Sequence, residues 1–208
     1  MHFRYLKIFI YIFIFRWIKL SLIEPIKFYS GPVLYFVLFF YKVYEKILYI
    51  KFRINYMAKK IYLVQHGESY PENIDPESKL TPKGIEETRR ISKYLSKLGI
   101  KINVILHSTK YRSKQTANIL SSELNVINVL EVKDLEPLSD PKATLQLINQ
   151  HEGDIMLVGH LPNLSKLIEL LTGSEAVLFR HSGILCLEEI EKDKWKIRWF
   201  VILDIVKD

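Results

Sequence analysis

Two histidines and one arginine carry most of the chemical promise of this chain. His66 lies in Gln65-His66-Gly67-Glu68, directly after the apolar run Ile61-Tyr-Leu-Val. His160 follows Gly159 at the end of a second apolar run, Asp154-Ile-Met-Leu-Val158. Arg112 comes shortly after His107-Ser108, which closes a third run, Asn103-Val-Ile-Leu106. An imidazole presents a lone pair on one ring nitrogen and a donor on the other, and a guanidinium presents a rigid fork of donors. Brought together beside helix N-termini, these groups make a cationic, donor-rich pocket that suits a phosphoryl group.

Residues so far apart in sequence meet only if the elements carrying them are arranged to bring their ends together. From Met57 onward the chain reads as alternating strands and helices. Ile61–Gln65 is a short buried strand. The polar loop Ser69–Lys79 contains Pro71 and Pro76, and Thr81-Pro82 then supplies an N-cap and a first helical residue. Ile85, Ile91, Leu95 and Leu98 give that helix one apolar face, and Gly99 ends it. A second strand over Asn103–Leu106 precedes a helix from Tyr111 to Leu124. A third strand covers Val126–Val132, and Asp140-Pro141 opens a helix that runs to His151. A fourth strand covers Asp154–Val158, followed by a helix over Pro162–Leu171. Ile184–Glu191 and Trp195–Leu203 flank Lys192-Asp193-Lys194 as an antiparallel hairpin at a sheet edge. Such alternation predicts an α/β fold, a three-layer α/β/α sandwich around a mostly parallel sheet. In such sheets ligands bind beyond the carboxyl ends of the strands, where His66, Arg112 and His160 all fall.

At these residues the chain resembles the histidine phosphatase, or phosphoglycerate mutase-like, superfamily from Lys60 to about Leu203. The R-H-G signature appears as Gln65-His66-Gly67. The S-x-x-x-R motif matches Ser108-Thr-Lys-Tyr-Arg112, followed by Gln115-Thr116-Ala117, and the G-H motif matches Gly159-His160. Three motifs in order, each after a strand, make the resemblance specific. The short spacing, Leu80-Thr-Pro-Lys-Gly84 and the late Trp195 hairpin are most similar to the small phosphohistidine phosphatases of the SixA type. The resemblance implies that His66 attacks phosphorus and forms a transient phosphohistidine, which water hydrolyses. It implies that Arg112 grips two phosphoryl oxygens and that His160 stabilises the transferring group. No metal and no cofactor belongs to that scheme. Gln65, Gly67, Ser108 and Glu68 are the substrate-binding candidates; Ser108 also suits a helix cap, and Glu68 a solvated loop charge.

The chain departs from the pattern in two places. Glutamine at position 65 keeps a donor but lacks the charge and the fork of arginine. A lost charge-assisted hydrogen bond to phosphate is worth ~1.5–3 kcal/mol, about ten- to a hundredfold in rate if it acts in the transition state. The second departure is a general acid, for which Glu136 and Asp140 are the nearest candidates, Asp140 serving more simply as an N-cap before Pro141. An imidazole leaving group departs with far less protonation than an alkoxide. A site without a strong acid therefore favours phosphohistidine, on a protein, over an alkyl phosphate. Hydrolysis of small phosphomonoesters or pyrophosphates is the alternative, and a weakly active phosphate-binding module is the non-enzymatic one. His107 and His181 belong to no motif and are read as structural.

Charge separates the chain into two parts. Residues 1–56 carry nine Lys or Arg against Glu24 and Glu45, leaving 21 basic and 21 acidic residues over 57–208. The net charge of +7 therefore resides in the first 56 residues. The histidine phosphatase domain itself, 57–208, needs no polyanion, so nucleic acid is excluded as its partner, and a phosphorylated protein or small phosphorylated metabolite is expected. Cys186 is the single cysteine and cannot form an internal disulfide, which fits a reducing cytoplasm. The segment 1–56 has three readings: a membrane-associated extension, a structured extension, or upstream sequence preceding a start at Met57. Its uncharged stretches, Ile8–Phe15 and Phe28–Tyr41, fall short of the ~20 apolar residues a bilayer span needs. A membrane partner thus depends on residues 1–56 being part of the mature protein.

Overall fold

A computed structural model describes residues 58–174 and 177–206, together with residue 39 and residues 41–46. The chain divides into two compact units, Met1–Tyr56 and Met57–Asp208. Residues 39 and 41–46 are helical, and the readings of the rest of 1–56 and of Met57 lie outside the described residues. Among the described residues no helix is long and apolar enough to cross a membrane.

The second unit is built on six strands: β1 (Lys60–Gln65), β2 (Val104–His107), β3 (Val129–Glu131), β4 (Ile155–Gly159), β5 (Ile184–Glu191) and β6 (Lys194–Val201). They lie in the order β3-β2-β4-β1-β5-β6. The pairs β1/β4, β2/β4 and β2/β3 are parallel; β1/β5 and β5/β6 are antiparallel. Between the strands run α1 (Pro82–Lys97), α2 (Tyr111–Leu124), α3 (Pro141–Gln150) and α4 (Asn163–Thr172).

Alternation along each strand sends side chains to two separate cores, as a sheet covered on both faces requires. Ile61, Leu63, Leu106, Ile155 and Leu157 pack with Ile148 of α3 and Leu164, Leu167 and Ile168 of α4. Tyr62, Val64, Ile105, Met156 and Val158 pack with Ile91 and Leu95 of α1 and Ala117 and Leu120 of α2. The layers are therefore α1 and α2, the sheet, and α3 and α4.

Local chemistry starts and stops the elements. Thr81 caps α1 by accepting the Gly84 amide, with Pro82 in the first turn, and Asp140 caps α3 by accepting from the Lys142 amide. Gly99 follows α1 at φ +70, where no Cβ obstructs a left-handed residue. Asp154 stays outside β4, and its carboxylate accepts the Lys60 amide, pinning the start of β1.

The third strand is shorter than the expected Val126–Val132. Asn125 ends α2 in the left-handed conformation, and Val126 turns back with its amide on Ser121 and its side chain in the core. That leaves only Val129–Glu131 to pair with β2 at an open edge. The last strand likewise stops at Val201, because Leu203–Ile205 forms a 3-10 turn.

Strand order fixes where a site can form. The chain leaves β1 for β2 on one side of β4 and leaves β4 for β5 on the other side of β1. The connections after these two neighbours therefore diverge, and a crevice opens at their carboxyl ends. His66 follows the last residue of β1, and His160 the last residue of β4.

Candidate active site

His66 is fixed from both ends. Its amide donates to Gly159 O at 3.3 Å, and its carbonyl accepts the Ser182 amide at 3.3 Å. The ring is 8% exposed. Its Nδ1 lies 2.7 Å from Gly67 O, an acceptor only, so Nδ1 carries the hydrogen and Nε2 carries the lone pair. Burial lowers the pKa of this imidazole to about 4, helped by the positive fields of Arg112 and His181. The ring is therefore neutral at pH 7, as a nucleophile must be.

Arg112, in the first turn of α2, donates from Nε to His66 Nε2 at 3.2 Å. Burial pulls its guanidinium pKa down, yet an arginine stays charged throughout the physiological range. Thr116, one turn along, receives the Gly67 amide on Oγ1 at 3.0 Å and donates to Arg112 O at 2.8 Å. One hydroxyl thus ties the loop after β1 to the helix that carries the arginine. Gly67 is required by space, since a Cβ there would lie 2.7 Å from Thr88 Oγ1.

His160 completes the group, with its ring centroid 4.8 Å from that of His66. Its Nε2 lies 2.5 Å from Ser108 Oγ. That hydroxyl oxygen also accepts the Lys110 amide at 3.3 Å, and we assign its own hydrogen to His160 Nε2. The hydrogen of a neutral His160 then sits on Nδ1, which is buried and has no partner in the protein. A buried donor without an acceptor costs ~1–3 kcal/mol, which an anion in the pocket relieves. Burial, with the nearby charges of His66 and Arg112, lowers the His160 pKa to about 3. It therefore offers a neutral N–H rather than a cation.

The other expected contacts are distributed unevenly. Ser108 is fully buried against His160 rather than serving as the cap of α2, whose N-cap residue is Lys110. The Gly67 amide is taken up by Thr116. The Glu68 carboxylate accepts from Thr81 Oγ1 at 3.0 Å and pairs with Lys83 at 2.8 Å; these partners lower its pKa and hold it to the start of α1. Glu136 accepts from Thr109 Oγ1, and Asp140 is committed to the Lys142 amide. His107 bonds the backbone carbonyl of Ser108 from Nδ1 at 2.8 Å. Gln65 is buried, with Oε1 unpartnered and Nε2 3.5 Å from His181 Nδ1.

His181 is the residue that motif reasoning missed. It lies in the turn Arg180–Gly183 before β5, with its ring centroid 5.4 Å from that of His66 and Nδ1 3.3 Å from His66 O. Because β5 runs antiparallel to β1, pairing Ile184 with Val64, its N-terminal end lies at the carboxyl end of β1. That pairing was the signal available, and a hairpin assigned only to a sheet edge does not reveal it.

The profile of the histidine phosphatase superfamily (branch 1) matches residues 61–139, the span that holds His66 and Arg112. Over that span the chain is similar to the histidine phosphatase superfamily. It is 26% identical over 147 residues to the phosphohistidine phosphatase SixA of Escherichia coli (strain K12), covering 67% of this chain and 91% of that protein. Among solved structures it is similar to the protein histidine phosphatase SixA complexed with tungstate. There the TM-score is 0.65 at 22% identity, covering 71% of this chain and 99% of the other. The α-ribazole-5'-P phosphatase structure from Escherichia coli matches with a TM-score of 0.55 at 20% identity, covering 68% of this chain and 95% of the other. These two likenesses are of fold alone.

Proposed function

We propose that this protein is a metal-independent phosphatase that hydrolyses phosphohistidine, carried on a protein, through a covalent phosphoenzyme at His66. One observation carries the reading: the lone pair on buried, neutral His66 Nε2 faces Arg112 Nε at 3.2 Å, with the second imidazole 4.8 Å away between centroids. In the first half-reaction Nε2 attacks phosphorus, and the bond from phosphorus to the substrate's imidazole breaks. The bonding pair leaves with that ring nitrogen, and because the substrate's phosphoimidazole is protonated on its other nitrogen the ring departs as neutral imidazole. Arg112 shifts its donors from His66 to two phosphoryl oxygens, and His160 Nδ1–H donates to a third. In the second half-reaction water attacks the phosphohistidine, phosphate departs with one water proton while the other passes to solvent, and His66 recovers its lone pair.

The substrate class follows from the carboxylates. Glu68 is bound by Thr81 and Lys83, Glu136 by Thr109, and Asp140 by its helix. Each already accepts a hydrogen bond, which disfavours protonation of an alkoxide, whereas a phosphoimidazole protonated on its other nitrogen releases a neutral ring. The similarity to SixA of Escherichia coli, named a phosphohistidine phosphatase, supports the same class. The test compares turnover of a phosphohistidine peptide with that of a phosphoserine peptide of the same sequence. A phosphohistidine preference of at least a hundredfold is expected; equal rates, or a preference for phosphoserine, would point instead to the phosphomonoesterase alternative.

A further inference from the structure

Position 65 leaves a gap that the turn before β5 fills. An arginine side chain is two atoms longer than a glutamine and ends in a cationic fork. The side chain of Gln65 stops at His181, whose Nδ1 stands 3.5 Å from Gln65 Nε2. The His181 ring therefore begins where a longer side chain at position 65 would end. It belongs to no motif and lies 116 residues along the chain from Gln65.

We propose that His181, paired with Gln65, takes the place of the signature arginine, supplying the N–H donor that the phosphoryl group would otherwise receive from residue 65. The proposal rests on the functional reading above and adds a substrate-contacting residue to it. Three features support it. First, His181 is a neighbour of the nucleophile itself, with ring centroids 5.4 Å apart, so it flanks His66 as His160 does at 4.8 Å. Second, its position is built: Ser182, buried and at φ +59, donates its amide to His66 O and shares a hydrogen bond between hydroxyls with Thr88 of α1 at 2.9 Å. Gly183 returns its amide to Arg180 O and accepts the Gln65 amide, so the turn is fastened to both residues whose side chains it faces. A Cβ on Gly183 would lie 2.8 Å from Arg180 O, which keeps the turn tight.

Third, the hydrogen bonding leaves a donor for a ligand. Nδ1 of His181 is placed between the Gln65 amide and His66 O, both within 3.5 Å. When Nδ1 accepts from Gln65, the ring hydrogen sits on Nε2. In the other neutral tautomer Nδ1–H donates to His66 O and Nε2 holds the lone pair, so the donor form is the one in which Gln65 Nε2 donates to Nδ1. His181 is exposed, unlike His66 and His160, so Nε2–H is accessible to an arriving phosphoryl oxygen. An imidazole on a fixed turn thus places at residue 181 a donor beyond the end of the Gln65 side chain.

The experiment is a mutant cycle on the full chain: wild type, His181→Ala, Gln65→Arg and the double variant. Each is mixed rapidly with para-nitrophenyl phosphate, and the nitrophenolate burst is read together with the melting temperature. His181→Ala is expected to slow the burst about ten- to a hundredfold, the range for a lost charge-assisted contact. Adding Gln65→Arg to His181→Ala is expected to recover at least tenfold of that loss. The same substitution in the wild-type background is expected to change the rate by less. A burst in His181→Ala within twofold of wild type overturns the proposal and leaves the phosphatase reading intact. So does a loss that Gln65→Arg does not reverse, especially with a lowered melting temperature, which would assign His181 a structural role. Absence in the wild type of any nitrophenolate release above the uncatalysed rate, together with no turnover of a phosphohistidine peptide, overturns both.

Discussion

The decisive property of His66 is that it is neutral without being idle. Gly67 O holds the hydrogen on Nδ1, and burial pushes the ring pKa to about 4, so Nε2 keeps its lone pair at any pH where a cell works. A solvated imidazole, with its pKa near ~6.5, would already be half protonated in mild acid. The burst rate with para-nitrophenyl phosphate, taken at saturation between pH 7 and pH 3.5, is therefore expected to hold to about pH 5 and to reach half its value near pH 4. A half-point near 6.5 would mean that His66 is not shielded. Stability has the same sign. His66 and His160 have folded pKa values of about 4 and about 3, below the unfolded value, so the unfolded chain takes up protons first. Stability is fully present above ~6.5 and declines as pH falls through the window toward those folded values. Ser108 contributes at this scale through orientation: its hydroxyl sets which nitrogen of His160 bears the hydrogen.

At the level of elements, the site depends on close joints between the loop after β1 and the helices beside it. Gly84, in the first turn of α1, approaches Glu68 so closely that a Cβ would stand 2.1 Å from Glu68 O. That carbonyl also accepts the Thr81 amide, so the joint cannot open without cost. Gly84→Ala is expected to destabilise by ~1–3 kcal/mol, as overpacking against backbone does, and to slow turnover by displacing Gly67 and His66. Urea unfolding checks the first effect; a midpoint equal to that of the wild type would show that the contact yields freely. Most of these elements were readable from residues. Thr81-Pro82 and Asp140-Pro141 opened helices as expected, and α2 spans Tyr111–Leu124 as its pattern indicated. The third strand was overread because its apolar residues serve different ends: Val126 fills the core and only Val129–Glu131 pairs. His181 was not readable because no spacing marks it; only the pairing of β5 with β1 brings that turn to the nucleophile.

Over the whole domain, function follows from strand order. Six strands in the order β3-β2-β4-β1-β5-β6 place the ends of β1 and β4 side by side, and the connections that diverge there leave the crevice open. His66 and His160, distant in sequence, become neighbours for that reason alone, and α2 brings Arg112 across from the next strand. The motifs announced these three residues. What the fold added was their common destination, the second role of Ser108, and a third histidine beside them. With 21 basic and 21 acidic residues over 57–208, the domain has little long-range field of its own, so recognition of phosphate rests on these few local groups. The most direct test is capture of the phosphoenzyme. The full chain is mixed with a phosphohistidine peptide radiolabelled on phosphorus and quenched within milliseconds into alkaline detergent, in which the phosphorus–nitrogen bond survives. Label is predicted on the fragment containing His66 and absent from a folded His66→Ala variant; label of equal amount in that variant, or on another residue of the wild type, would contradict the account.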